Sequence, residues 1–168
     1  MVSARAPGTD RVWRVLERIP DPEIPAITIT ELGIVRDVRL DDGVPEVSIT
    51  PTYCGCPALD LIEEDVVAAL KAAGFDEVRV SKVLSPAWTT DWIGPEAKER
   101  LREFGIAPPG RSTPGIDAQR LHLHARSVPC ARCGSARTER ISEFGSTACK
   151  AHYRCLACLE PFDYFKPL

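Results

Sequence analysis

Two Cys-x-x-Cys hooks near the end of the chain, Cys130 with Cys133 and Cys155 with Cys158, constrain its fold more than any other feature. Each hook lets two sulfurs approach one ion without strain, and two hooks together close a tetrahedral four-thiolate site. The segment carrying them, residues 128–168, is about 40 residues long, and a chain that short rarely buries enough apolar area to fold unaided. A metal ion takes the place of the missing core. Zinc and a rubredoxin-type iron share this ligand set, so spacing leaves the metal open between them.

Composition agrees with a small metal module attached to a larger domain. The chain has 168 residues, 27% of them charged and 44% hydrophobic, as expected of a globular protein in water. Lys and Arg against Asp and Glu leave −5 over residues 1–126 and +2 over 127–168. That basic excess is too weak to argue for nucleic acid, and a net charge of −3 argues against anionic membranes. Residues 1–8 hold no apolar signal core, and no run is long enough to span a bilayer. A cytoplasmic location is expected. Seven cysteines, five of them late in the chain, favour metal binding or thiol chemistry there over a disulfide framework.

Along the chain, apolar spacing at Val12, Val15, Leu16 and Ile19 predicts a helix over 9–19, ended by Pro20, Pro22 and Pro25. Strands at 34–40 and 46–50 flank Asp41-Asp42-Gly43, which reads as a hairpin turn. A second helix opens at Pro57, with Leu59, Ile62, Val66, Ala69, Leu70 and Ala73 in one stripe, and stops at Gly74. A strand at 78–84 completes a right-handed crossover, so its pairing with the earlier strand is parallel and the sheet mixed. A third helix follows Pro95 and buries Ala97, Leu101 and Phe104. The expected organisation is a domain over 1–105, a Pro- and Gly-containing linker over 106–127, and a metal module over 128–168.

Three further places could carry chemistry. Cys56, in Tyr53-Cys54-Gly55-Cys56-Pro57, falls at the start of the second helix, where unpaired amides and the helix dipole favour a thiolate. It is a candidate nucleophile or soft-metal ligand, against the alternative of a mere cap. With Cys54 it could form a redox pair, although one intervening residue fits that geometry poorly. Asp21 and Glu23, between prolines, are read as exposed carboxylates serving either acid–base or hard-metal chemistry or a turn. Cys149 lies outside the hooks and is either a buried filler or an additional metal contact with His152 nearby. Trp88 and Trp92 read as core closure or as a docking patch; His122 and His124 lie near the linker and read as solvated.

These segments resemble a known family. Asp21-Pro22-Glu23-Ile24-Pro25, Glu31-Leu32-Gly33-Ile34-Val35, Pro51-Thr52-Tyr53 with Gly55-Cys56-Pro57, and Pro86 through Trp92 are similar to the PaaD branch of the SufT-like iron–sulfur assembly family. The module with 144–149 and Pro161-Phe162-Asp163-Tyr164-Phe165 resembles that branch's zinc ribbon. The resemblance implies an α+β fold: a small mixed sheet in α-β-β-α-β-α order packed with helices, followed by a zinc-ribbon-like module. It also implies an accessory protein and not an enzyme, one that supplies or repairs iron–sulfur clusters or iron for a multicomponent phenylacetyl-CoA epoxidase in aerobic phenylacetate catabolism. The epoxidase's iron–sulfur reductase component is the expected client.

By motif, Cys56 matches the family's reactive cysteine and Asp21 and Glu23 its acidic motif; Cys130, Cys133, Cys155 and Cys158 match the ribbon's zinc ligands. Cys54 is outside the pattern. It leaves open a cluster or iron held by two sulfurs of one chain or shared across a homodimer. The competing class is a ribbon adaptor or regulatory subunit that binds a protein or nucleic acid without transferring a cluster.

Overall fold

The computed structural model describes residues 8–53, 55–110 and 128–168. Cys54, His122, His124 and most of the expected linker lie outside the described residues. The chain divides into two compact units, residues 1–97 and 98–168.

The first unit is built around a three-stranded sheet. Helix α1 (Asp10–Leu16) buries Val12, Trp13 and Leu16 and packs on α2 (Ala58–Ala72). The first helix is shorter than the period suggested, because turns at Glu17 and Arg18 close on Trp13 and Val15 before the prolines begin. Strands β1 (Val35–Asp41) and β2 (Val44–Ile49) pair antiparallel. Their two-residue turn places Asp42 at φ 48 and Gly43 at φ 84, the left-handed pair that matches strand twist in a tight hairpin.

The α2 crossover then delivers β3 (Arg79–Lys82) parallel to β2, giving the order β1-β2-β3. Helix α2 puts Leu59, Ile62, Val66 and Leu70 inward, the i, i+3, i+4 recurrence of an amphipathic helix. Gly74, at φ 90, ends it by donating to the Lys71 carbonyl. The mixed sheet and the helix order are therefore as expected.

Register on β1 slips between Val35 and Asp37. The extra residue is Arg36, whose guanidinium lies 3.5 Å from the centroid of the Trp92 ring. A bulge re-aims one side chain in this way. Trp92 ends a short 3-10 helix (Thr90–Trp92) that is capped by the Thr89 hydroxyl.

Helix α3 (Pro95–Glu103) buries Ala97 and Leu101, and the division between the units falls within it. Phe104 is 55% exposed, against the expectation that it would be buried. The Phe104 N–H still bonds to the Arg100 carbonyl, so the helical turn persists past Glu103 while the burial of the stripe stops at Leu101.

The second unit is a four-stranded sheet of order β4-β7-β6-β5. Strands β5 (Thr138–Ser142), β6 (Lys150–Cys155) and β7 (Pro161–Phe165) form an antiparallel meander. Strand β4 (Ile106–Ala107) adds in parallel to β7 at Asp163 and Tyr164. Ile106 and Ala107 open the segment expected to be linker, yet they are buried strand residues. Two residues carry no period, so only their tertiary pairing marks them as strand. The core of this sheet is small: Ala107, Val128, Cys130, Cys155 and Phe162, with Tyr153 and Tyr164 packed against it. Two of those five residues are hook cysteines, which is why the metal site and the core are one structure.

Candidate functional site

In the second unit the hooks converge. Cys130 follows Val128 into the first knuckle, where its N–H donates to the Ser135 carbonyl and its carbonyl accepts from Gly134. Gly134 turns at φ 72. The second knuckle continues β6: the Cys155 N–H donates to the Glu160 carbonyl, and Ala157 and Cys158 direct N–H groups at the Cys155 sulfur at 3.3 and 3.5 Å.

Cys130 Sγ lies 3.8 Å from Cys158 Sγ and Cys133 Sγ 3.6 Å from Cys155 Sγ, with all four sulfurs within 4.8 Å of one another. A disulfide needs about 2.05 Å, and the six cysteines among the described residues are free thiols. A tetrahedron with metal–sulfur bonds of about 2.3 Å has edges of about 3.8 Å. The sulfurs thus stand where the corners of a zinc site belong.

Their titration has the same origin. Amides of Cys158 and Ala157 and neighbouring thiols outweigh desolvation and hold the Cys155 thiol down at about 6. The Glu160 amide lowers Cys158, but desolvation and the three other hook sulfurs push it up to about 12. One thiol of the second hook thus gives up its proton at the expense of the other, the pattern that a bound cation would level.

Cys149 stands outside the four-sulfur group. It is buried, with its sulfur 3.0 Å from the Thr147 hydroxyl. The six-residue strand β6 separates it from the hook at Cys155, about 20 Å along an extended chain. His152, its expected neighbour in a metal contact, instead bonds through Nδ1 to Asp163 Oδ1 at 3.1 Å.

In the first unit the charges of Glu23 and Asp21 act on the Cys56 thiol. Asp21 is buried, 4% exposed, and not the exposed carboxylate expected. Its Oδ1 accepts from the N–H groups of Glu23 (3.0 Å) and Ile24 (2.8 Å), and its own N–H donates to the Ile27 carbonyl. This Asx-type turn fixes the loop between the prolines.

Cys56 is half-buried, and its N–H bonds to the Tyr53 carbonyl. The thiol's pKa lies above its ordinary value. Burial is the main cause; the Ala58 amide at the start of α2 and the Thr52 hydroxyl pull it down, while the charges of Glu23 and Asp21 push it up. The expectation of a helix-activated thiolate is therefore corrected: desolvation and two nearby carboxylates outweigh one amide and one hydroxyl.

The influence of Glu23 and Asp21 brings together residues more than thirty positions apart. They do not form a closed chelate: among the described residues the group of three or more metal-type side chains that converges on one point is the four hook cysteines. Thr52, 9% exposed, is the participant that sequence reasoning placed in a motif without assigning it a part. Trp88 is buried core closure, with Nε1 donating to the Leu32 carbonyl.

Comparison with known proteins follows the same division. Residues 9–82 match the family model described as an iron–sulfur cluster assembly protein, and residues 115–166 the PaaD zinc beta ribbon domain. Over 161 residues the chain is 50% identical to a protein of Escherichia coli (strain K12) described as a putative 1,2-phenylacetyl-CoA epoxidase subunit, covering 95% of this chain and 93% of that one. The chain belongs to the PaaD family.

A second relative, the Fe-S protein maturation auxiliary factor YitW of Bacillus subtilis (strain 168), is 37% identical over 96 residues, 55% of this chain and 91% of its own. Among solved structures, a DUF59 domain from Bacillus anthracis superposes with a TM-score of 0.51 at 30% identity, covering 55% of this chain and 89% of that one. This chain thus joins a match to the iron–sulfur cluster assembly family with a match to the PaaD zinc beta ribbon. The ribbon is of the zinc-binding kind, and the sulfurs of Cys130, Cys133, Cys155 and Cys158 are close enough together to share one ion. Among the described residues no helix is long and apolar enough to cross a membrane.

Proposed function

We propose that this chain is a maturation factor that passes iron or an iron–sulfur cluster through Cys56 to a component of a phenylacetyl-CoA epoxidase, most directly its iron–sulfur reductase. An accessory role in iron–sulfur assembly comes with the family. The epoxidase named in the description of the half-identical relative supports this choice of client. The observation that supports the reading is that Cys56 stands just before the amino end of α2 and that burial and the charges of Glu23 and Asp21 act on its thiol.

Among the described residues, the Cys56 thiol has carboxylates close by but no closed ligand set, which suits cargo that must leave again. In transfer, the bond from Cys56 sulfur to iron breaks as a client thiolate takes the same coordination position. Cys56 then recovers a proton, and no net oxidation is required. The zinc site has a separate task, since it holds the ribbon together.

Anaerobically purified protein and its Cys56→Ala variant, assayed for iron and acid-labile sulfide, test the first step. Iron in excess of the ribbon's zinc is expected only with Cys56 present. The second step is tested in a host growing on phenylacetate: epoxidase from a Cys56→Ala strain should be under-loaded and regain activity on chemical reconstitution alone. Epoxidase that carries full iron and sulfide yet stays inactive until this protein is added would establish a regulatory or structural role instead.

A further inference from the structure

In both knuckles of the ribbon the first cysteine donates its N–H to the carbonyl five residues on, Cys130 to Ser135 and Cys155 to Glu160. After Cys133 the chain turns at Gly134, φ 72; after Cys158 it makes the same left-handed turn at Leu159, φ 65. Glycine adopts that backbone freely, whereas a residue with a β-carbon is strained in it and a bulky one most of all. Asp42, the other non-glycine residue in this region among the described residues, is of a type that tolerates it. Leu159 gains nothing from packing in exchange, because it is 73% exposed. Folding alone therefore favours glycine at this position, as in the first knuckle.

The surroundings are also exposed. Leu156 is 39% exposed, Ala157 lies open beside it, and the hook ligands Cys133 and Cys158 are the two solvent-facing members of the zinc site. Arg137 flanks the apolar tip, exchanging backbone and side-chain bonds with Leu156: its carbonyl accepts from the Leu156 N–H at 2.8 Å, and its guanidinium reaches the Leu156 carbonyl at 3.5 Å. Among the described residues Arg137 has no carboxylate partner, although Arg140 and Arg154 of the same sheet are paired with Glu143 and Glu139. Strain held at an exposed apolar residue is a mark of function, and an arginine beside it is a common companion at protein interfaces.

We infer that the second knuckle is the docking surface for the client protein, with Leu159 and Leu156 entering an apolar cleft whose rim carries a carboxylate opposite Arg137. The identity of the client rests on the reading given under Proposed function. Docking on the ribbon and cargo handling at Cys56 are then separate tasks of separate units.

The test measures binding of the zinc-loaded full chain to purified epoxidase components by calorimetry, beside thermal stability and zinc content. Leu159→Gly should leave zinc unchanged and raise the unfolding temperature by relieving the turn, yet weaken binding about tenfold. Arg137→Gln should weaken binding and flatten its salt dependence. Stability rising while affinity falls cannot come from a merely structural role.

Unchanged affinity in Leu159→Gly would overturn the docking surface, as would its loss of zinc. Tight binding of a DNA duplex at the tip, abolished by Arg137→Gln and with no epoxidase binding, would overturn it in favour of nucleic acid. Cys56→Ala separates the two proposals: if it loads its client normally while Leu159 still governs binding, docking stands and transfer through Cys56 falls. If the wild-type chain binds no epoxidase component, both fall.

Discussion

The indole Nε1 of Trp88 donates to the carbonyl of Leu32 at 2.9 Å, a buried bond that ties the Trp-rich loop to the turn before β1. Gly33, the next residue, turns at φ 76, and a β-carbon there would lie 3.1 Å from Trp92 Cβ. The two motifs are therefore one packed corner. Gly33→Ala meets both backbone strain and that contact, and should cost about 2 kcal/mol, read as a lower denaturant midpoint. A loss below a few tenths of a kcal/mol would mean the corner relaxes freely.

The ribbon should carry about one zinc ion per chain. Cys155→Ser is expected to lose the metal together with protease resistance, because Cys155 belongs to both the zinc site and the small core. Cys149→Ser should retain full zinc. Metal analysis beside limited proteolysis checks both, and loss of zinc in Cys149→Ser would return Cys149 to the site.

Burial first, and the charges of Glu23 and Asp21 with it, keep the Cys56 thiol protonated to higher pH than in an unfolded chain. Alkylation should therefore be slow at neutral pH, with a pH–rate midpoint above about 8.5, the ordinary thiol value. Glu23→Gln removes one upward push and should lower that midpoint. Because the folded pKa is the higher one, this thiol's contribution to stability is fully present below the unfolded pKa and is lost as pH rises through the folded pKa. Cys56→Ala should accordingly lose less stability than the native chain across that alkaline window.

Asp21 offers a test of turn against charge. Asp21→Ala leaves the N–H groups of Glu23 and Ile24 without their acceptor and should cost about 1–2 kcal/mol. Asp21→Asn keeps an acceptor oxygen, so its stability should stay near the native value while iron retention at Cys56 falls. Equal destabilisation by both would show that the charge itself holds the turn.

Much of this was legible along the chain because it is local. The stripe through Ile62, Val66 and Leu70, the Asp42-Gly43 turn and the hook spacing each sit within a few residues and report one element. What could not be read depends on distant partners. Asp21 looks exposed between two prolines until its carboxyl is seen holding the following turn. Cys56 looks acidified by α2 until burial and the Glu23 charge, from more than thirty residues upstream, are added. Phe104 continues the stripe of Ala97 and Leu101 along the sequence, and nothing local tells that burial stops at Leu101. The strain at Leu159 carries no pattern signal, although its alignment with Gly134 after the second cysteine of each hook was there to be compared.

The pairing of Ile106 and Ala107 with Asp163 and Tyr164 bears on how this chain can be cut. A ribbon fragment begun at Val128 would retain every zinc ligand and still lack the strand that covers β7. The bared edge of β7, flanked by Phe162, Tyr164 and Phe165, would then offer unsatisfied amides and carbonyls to other copies, the usual start of edge-to-edge aggregation. With zinc bound to both, fragments that begin upstream of Ile106 should remain monodisperse at concentrations where the shorter ones precipitate.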